Sequence, residues 1–188
     1  MIVAFDEIDS TSDEALRRIR AGTAKEMVIV AKRQTAGRGR RGRRWTSPEG
    51  NLYMTLVFPA PAMERIGEIA FVAALGAGEA LTHVLPEGVK IAFKWPNDLM
   101  LGGKKLAGIL IETEMEPNGR RWCTVGIGVN VAHAPTDLPA TSLAASGAEL
   151  AAEALVEPIK ASFAKWYERW TEQGFEPVRA NWLAAAAA

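Results

Sequence analysis

The hydrophobic pattern of the chain begins with short stretches in which β-branched and aromatic residues dominate. Such stretches lie at residues 2–8, 26–34 and 51–58, and their composition predicts strands. A fourth stretch, "VKIAFKW" at 89–95, is stopped by Pro96, which cannot donate a backbone hydrogen bond to a neighbouring strand. The first half of the chain therefore predicts four strands.

Between these strands the apolar residues change to helical spacing. Thr11 and Glu14 match the S/T-x-x-E capping box, so we predict a helix over residues 11–21. Apolar residues three and four positions apart predict a second helix over 63–84 and a third over 148–173. Each helix would pack one apolar face against the sheet.

Glycines in the second half mark reversals of the chain. The pair Gly102-Gly103 tolerates the positive φ of a tight hairpin, and "PNG" at 117–119 marks a second hairpin turn. In the strand that follows, Gly126 and Gly128 are two apart, so both fall on one face of the sheet and another group can lie close against it. Hairpins with inserted helices predict an α+β domain rather than a doubly wound parallel sheet.

Size and charge narrow the class of protein. The 188 residues suffice for one domain with a buried core, and 22 basic residues balance 22 acidic ones, so the chain is no general polyanion binder. The longest apolar run, 69–78, is about half of what a membrane span requires. Acidic residues near the start argue against an export signal, and the single Cys123 is typical of a reducing compartment, so we expect a cytoplasmic protein without a membrane segment.

The positive charge is concentrated in "TAGRGRRGRRW" at 35–45, for which several interpretations stand. Its G-x-G-x-x-G spacing matches a dinucleotide fingerprint, but the helix and the later acidic residue that this motif needs have no good match. A nucleic-acid arm would interleave several aromatic residues, and Trp45 is the one aromatic here. A solvated loop would mix charge signs. We favour a loop that folds over a phosphate-bearing compound, whose oxygens the arginines bind.

Four motifs in a fixed order make the chain resemble a known family. They are "GRGRRGRRW" at 37–45, "KWPNDL" at 94–99, "KKLAGILIE" at 104–112 and "GIGVN" at 126–130. In this order they resemble biotin protein ligase, also called holocarboxylase synthetase or biotin-[acetyl-CoA-carboxylase] ligase. The resemblance implies a mixed, mostly antiparallel sheet with packed helices, similar to class II aminoacyl-tRNA synthetases.

The same resemblance implies an activity. Such enzymes use ATP and Mg²⁺ to convert biotin to biotinyl-5′-AMP, and then transfer the biotinyl group to a lysine of a biotin carboxyl carrier domain. A carboxylate must approach a phosphate in the first step, so the site needs fixed cations. The resemblance assigns catalysis to Arg40, Lys105, Asn97 and Asp98, with Asp98 also a candidate metal ligand. A surface hairpin lysine and an Asx turn are the alternatives for these residues.

A larger set would contact biotin or its adenylate. The ureido ring carries two donors and one acceptor, so a buried pocket must offer matched polar partners. The resemblance places the ring near Ser10, Thr11 and Gln34, puts the ligand against a wall of glycines, and covers it with a tryptophan. The full set is Ser10, Thr11, Gln34, Gly37, Arg38, Arg40, Arg43, Trp45, Lys105, Gly108, Gly126, Gly128 and Asn130.

The chain also departs from the family. Ser12 stands where the family often has asparagine, which removes an amide from the ring contacts. No DNA-binding winged helix precedes Met1, so we expect no binding to DNA. We expect the catalytic domain at 1–183, followed by five alanines at 184–188 where a small SH3-like C-terminal domain is missing or cut short. The acceptor protein and the oligomeric state, a homodimer included, stay open.

Two other functions remain as alternatives. A lipoate or octanoate ligase would share the fold and the acyl-transfer chemistry, but it predicts a more apolar pocket and gives no reason for the arginine-rich loop. An RNA-binding module is the alternative from another class. His83 and His133 are isolated histidines without metal-ligand spacing, so they predict no metal site.

Overall fold

A single sheet forms the centre of the computed structural model, which describes residues 1–187. The sheet has seven strands, and helices pack on both of its faces. In chain order the elements are β1 (Ile2–Ile8), α1 (Thr11–Arg20), β2 (Met27–Gln34), β3 (Leu52–Pro59), α2 (Ile69–Thr82), β4 (Ile91–Lys94), β5 (Asp98–Leu101), β6 (Lys104–Met115), β7 (Arg121–Val129), α3 (Val156–Gln173) and α4 (Phe175–Ala184). Of the terminal alanines, Ala188 lies outside the described residues.

The strand order is β1-β2-β3-β7-β6-β5-β4, and it confirms the mixed, mostly antiparallel sheet. β1 pairs with β2 in parallel, and every other pairing is antiparallel. Both predicted hairpins are present: Gly102 and Gly103 have φ of 57° and 74° between β5 and β6, and Gly119 has φ of 86° between β6 and β7. A side chain at these positions would strain the turn.

The two faces of the sheet are covered unequally. On one face α2, α3 and α4 enclose the main core, and α2 is buried nearly all round. On the other face α1 covers one end of the sheet with Ala15, Leu16 and Ile19, which pack against β2 and β3. The other end of that second face is left uncovered by helices, and the candidate site lies there.

One helix cap and two helix starts differ from the sequence prediction, whereas α1 begins at Thr11 as predicted. The cap of α1 is Ser10, whose Oγ accepts a hydrogen bond from the backbone N–H of Asp13 at 3.3 Å, so the capping box at Thr11 is wrong by one residue. Ser10 has extended backbone while Thr11 is already helical, and only an extended residue can turn its side chain back to cap the helix. The helices predicted at 63–84 and 148–173 begin with 3₁₀ turns, and α2 and α3 start at Ile69 and Val156.

Within residues 1–187 no helix is long and apolar enough to cross a membrane. Cys123 is fully buried in β7, and burial raises the pKa of its thiol to about 12, so the thiol is protonated at neutral pH. Cys123 is therefore a packing residue of the core.

Candidate active site

An open cleft of about 920 Å³ lies on the uncovered end of the sheet. Its floor is formed by β3, β7, β6 and β5, one end is the N-terminus of α1, and the arginine-rich segment crosses it. All the residues that the sequence assigns to the site line this cleft, with the exception of Gly37. Their roles toward a ligand remain predictions, but the structure brings the side chains together.

The arginine-rich segment, residues 37–45, forms a short hairpin that we call the arginine loop. Arg38 and Arg44 face each other as an isolated bridge, and the N–H of Gly39 donates to the carbonyl of Arg43 at 2.7 Å. Arg41 at its tip has a positive φ of 57°, a conformation that costs a non-glycine residue free energy. The loop therefore has a defined shape that points its guanidinium groups toward the cleft.

The base of the arginine loop leaves no room for a side chain at Gly37. The N–H of Trp45 donates to the carbonyl of Gly37 at 2.9 Å, and a Cβ on Gly37 would collide with the hydroxyl of Ser47 and the carbonyl of Trp45. Gly37 is thus needed for steric reasons rather than for its φ.

Lys105 enters the cleft because β6 contains a bulge. Leu99 pairs with Ala107 and Met100 pairs with Lys105, so the ladder skips Leu106. Leu106 and Ala107 can then both join the core, and Lys105 turns to the face that carries Gly108. Its Nζ lies 2.6 Å from Oδ1 of Asp98 and 5.2 Å from the centre of the Trp45 ring.

Asn97 is fixed between the sheet and the arginine loop. Its Nδ2 donates to the carbonyl of Ile109 at 2.8 Å, while its own carbonyl accepts the N–H of Ile109 at 2.9 Å. Its Oδ1 accepts a hydrogen bond from Nη1 of Arg40 at 3.2 Å. Asn97 therefore links the arginine loop to β6, a role that a simple Asx turn does not have.

Gly108, Gly126 and Gly128, which we call the glycine wall, line the cleft, and side chains of the protein lie against them. A Cβ on Gly128 would be 2.6 Å from the ring of Trp45, and one on Gly108 would be 3.0 Å from it. A Cβ on Gly126 would be 2.7 Å from Oγ of Ser12. Glycine at these positions thus allows Trp45 and the first turn of α1 to approach the sheet closely.

A hydrogen-bonded chain joins the predicted ring pocket to the base of the arginine loop. Oε1 of Gln34 accepts from the N–H of Thr11 at 2.8 Å, and Nε2 of Gln34 donates to Oγ of Ser47 at 3.0 Å. Ser47 in turn donates to the carbonyl of Trp45 at 2.9 Å. Buried Thr55 donates to Oγ1 of Thr11 at 2.9 Å and so extends this series of hydrogen bonds to the start of α1.

The side chain of Asn130 binds backbone groups of the protein. Its Nδ2 donates to the carbonyl of Thr141 at 3.1 Å, and it is nearly fully buried. The loop that it holds pairs with Lys105 through Ala140 and carries exposed Leu138 to the rim of the cleft. Asn130 thus lines the cleft and also holds the loop at its rim.

Arg38, which the sequence predicts to grip a ligand, lines the cleft and also pairs with other side chains of the protein. Its guanidinium pairs with Glu112 on β6 and Asp13 on α1, two carboxylates to which the sequence assigned no role, although Glu112 ends the motif at 104–112. Sequence reasoning also missed several residues that line the cleft or support it, because contacts between distant strands leave no local pattern. They are Asp13, Ser47, Tyr53, Thr55, Lys94, Glu112, Asp137 and Leu138.

The cleft is strongly cationic. Among residues 1–187, seven cationic and two anionic side chains line it. The cations are Arg38, Arg40, Arg41, Arg43, Arg44, Lys94 and Lys105, and the anions are Asp98 and Asp137. A cleft of one sign attracts ligands of the other, so its charge suits a small polyanion.

Sequence comparisons place the chain among known proteins. The profile of the biotin/lipoate A/B protein ligase family matches residues 4–130. The chain is 38% identical to the biotin–[acetyl-CoA-carboxylase] ligase of Paracoccus denitrificans, over 95% of this chain and 78% of that protein. It is 32% identical to the bifunctional ligase/repressor BirA of Bacillus subtilis, over 96% of this chain, and spans 58% of that longer protein.

Solved structures agree with the sequence matches. The biotin protein ligase from Aquifex aeolicus in complex with biotin and ATP has a TM-score of 0.85 and 27% identity, over 98% of this chain and 78% of that one. The biotin protein ligase from Leishmania major in complex with biotinyl-5-AMP has a TM-score of 0.83 and 30% identity, over 99% of this chain and 81% of that one. Fold, ordered motifs and sequence matches agree, and the chain belongs to the biotin/lipoate A/B protein ligase family.

Proposed function

We propose that the chain is a biotin protein ligase that activates biotin with ATP and transfers the biotinyl group to a lysine of a carboxylase carrier domain. One observation carries the proposal: a single cleft joins a polar pocket at the N-terminus of α1 to a cationic region around Lys105 and the arginine loop. A substrate with a polar ring at one end and a carboxylate at the other fits both parts. We assign this catalytic domain to residues 1–183 and place it in the cytoplasm.

The first reaction joins two anions, and the residues of the cleft counter that repulsion. A biotin carboxylate oxygen attacks the α-phosphorus of ATP, a P–O bond forms, and the bond to pyrophosphate breaks. Lys105 lies where it can neutralise the carboxylate and the α-phosphate oxygens, while Arg40 and Arg43 approach from the arginine loop. Fixed cations of this kind stabilise the charge of the transition state, and no protein nucleophile is needed.

The second reaction transfers the acyl group. The ε-amine of the acceptor lysine attacks the acyl carbon, loses a proton, and AMP leaves with the C–O bond electrons. Asn97 and Asp98 lie at the start of β5 and border the open cleft. The carboxylate of Asp98 is our candidate to receive the proton or to orient the amine.

The carboxylate of Asp98 in the cleft suits a magnesium ion that enters bound to the nucleotide. Within the described residues no three His, Cys, Asp or Glu side chains are close enough to hold a metal by themselves. Mg²⁺ is usually bound by one or two carboxylates together with substrate phosphates, and Asp98 offers one such carboxylate in the cleft. Bound there, it would screen the charge of the phosphates.

Calorimetric titration tests the substrate class. We expect biotin to bind, and to bind more tightly when ATP is present, because the adenylate holds both halves of the cleft together. Lipoate is the matched control, since it shares the carboxylate and the aliphatic chain but lacks the ureido ring. Equal binding of lipoate and biotin, or no heat with either, would refute the proposal.

Arg40→Gln is expected to release the activated intermediate. The variant loses a cation of the cleft and the bond to Asn97, so we expect free biotinyl-5′-AMP to appear in solution about tenfold faster. The measurement is chromatography of the supernatant in the absence of an acceptor. Arg33→Gln is the control, because Arg33 precedes the loop and pairs with Glu7 outside the cleft. Equal release from both variants would contradict the role of Arg40.

A further inference from the structure

Arg38 is bound differently from the other arginines of the arginine loop. Its Nη1 and Nη2 donate to the two carboxylate oxygens of Glu112 at 2.9 and 2.8 Å, and its Nε lies 2.9 Å from Oδ1 of Asp13. Arg40 instead makes one bond to Asn97. In the described part of the chain, the remaining arginines of the loop have no carboxylate within ion-pair distance.

Neighbouring carboxylates neutralise the positive charge of Arg38. Two carboxylates surround one guanidinium, so the trio carries a net charge of −1, and the positive charge of the cleft comes from the other six cations that line it. The paired oxygens of Glu112 match the planar fork of the guanidinium, which makes the contact stronger and more directional than an ordinary surface ion pair. The hydrogen bonds to Glu112 raise the pKa of Arg38, so it stays charged at every working pH.

The trio joins three parts of the site. Asp13 is in the first turn of α1, beside the predicted ring pocket, and Glu112 is on β6, the strand that carries Lys105. Arg38 faces Arg44 across the base of the hairpin, so fixing Arg38 fixes that base. The other end of the arginine loop is held by Trp45 against the glycine wall.

We propose that Glu112 is a positioning residue: through Arg38, and with Asp13 as the second carboxylate, it holds the arginine loop closed and sets how long the acyl adenylate stays bound. The inference rests on the proposed function for its ligand. It concerns a residue that touches neither the reacting atoms nor the cleft.

Glu112→Gln tests it, with Glu114→Gln as the matched control. Both glutamates lie on the same face of β6, their side chains are 24% and 25% exposed, and each pairs with an arginine, but the partner of Glu114 is Arg20, away from the loop. We expect both variants to melt within a few degrees of the parent. Dissociation of biotinyl-5′-AMP should be about tenfold faster in Glu112→Gln and unchanged in Glu114→Gln.

A double variant shows whether Glu112 acts through Arg38. In an Arg38→Gln background, Glu112→Gln should accelerate release no further, because the contact is already lost. Unchanged release from the single variant, or additive effects in the double variant, would overturn the proposal. Slower release would also overturn it, since Arg38 would then be a ligand-binding cation for which Glu112 competes.

Limited trypsin digestion separates this inference from the proposed function. Cleavage within the arginine loop should be faster in Glu112→Gln than in Glu114→Gln, whether or not the protein makes an adenylate. If the parent protein forms no biotinyl-5′-AMP, the proposed function fails. If it forms the adenylate but both variants are cleaved and release it alike, only the inference fails. Should Glu112→Gln not fold, Arg38→Lys keeps the charge and loses the fork, and must show the same two effects.

Discussion

Replacing Lys105 with methionine is expected to slow adenylate formation by about 100-fold to 1,000-fold, the usual range for removing one group that stabilises transition-state charge. Methionine keeps most of the apolar stem, so the change removes the ammonium alone. It also leaves Asp98, now without its partner at 2.6 Å, as an uncompensated anion beside an incoming carboxylate and triphosphate. Both effects oppose the approach of the two substrates. Pyrophosphate release from biotin and ATP measures the rate.

Lys104→Met is the control for this experiment. Lys104 is the neighbouring residue at the start of β6, it is exposed, and it does not line the cleft. The two variants lose the same charge from adjacent positions, so a general electrostatic effect would slow both. We expect Lys104→Met to stay within about twofold of the parent, because surface charges are screened by salt. Similar losses in both variants would remove Lys105 from the mechanism.

The orientation of Lys105 shows what sequence patterns can and cannot predict. Gly108 and Leu110 face the cleft, so strict alternation along β6 would turn Lys105 to the core. The bulge at Leu106 reverses that parity, and a bulge is set by the pairing of two strands rather than by any local signal. The resemblance therefore identified Lys105 as a site residue, but only the structure shows that its side chain faces the cleft.

The hairpins and the common face of Gly126 and Gly128 were predictable from local rules. Turns depend on the φ preferences of glycine, and alternation depends on the pleat, so both are visible within a few residues. The order of strands was not predictable in this way, because β3 pairs with β7 although α2, β4, β5 and β6 lie between them in the chain. The hairpins predicted an α+β domain, and the resemblance added that its sheet is mixed and mostly antiparallel.

The arginine loop was predictable as a ligand-binding element but not as a set of separate roles. Five arginines within nine residues look equivalent in the sequence. In the structure Arg38 pairs with two carboxylates, Arg40 binds an amide, and Arg41 occupies the strained tip. These differences come from Glu112 and Asn97, which lie more than fifty residues away in the chain.

Gly37→Ala is expected to reduce adenylate formation by about 100-fold and to destabilise the fold by about 1–3 kcal/mol, as overpacking of a tight site does. The new Cβ would collide with the hydroxyl of Ser47 and the carbonyl of Trp45, and it would lie 3.0 Å from Nε2 of Gln34. A backbone carbonyl cannot move without its loop, so the base of the arginine loop must shift. That shift would lift Trp45 from the glycine wall and break the hydrogen-bonded chain from Gln34 through Ser47.

Gly39→Ala provides the comparison that isolates this clash. A Cβ on Gly39 would lie 3.4 Å from the carbonyl of Arg43, a contact that small adjustments relieve, and the backbone of Gly39 is extended, so alanine fits it. Both variants add one methyl group to the same loop and remove one glycine from the unfolded chain. The midpoint temperature of thermal unfolding and the rate of pyrophosphate release should therefore fall strongly in Gly37→Ala and little in Gly39→Ala. If Gly37→Ala melts and reacts like the parent, the loop absorbs the methyl group, and the arginine loop does not depend on the close packing of Gly37 for its position.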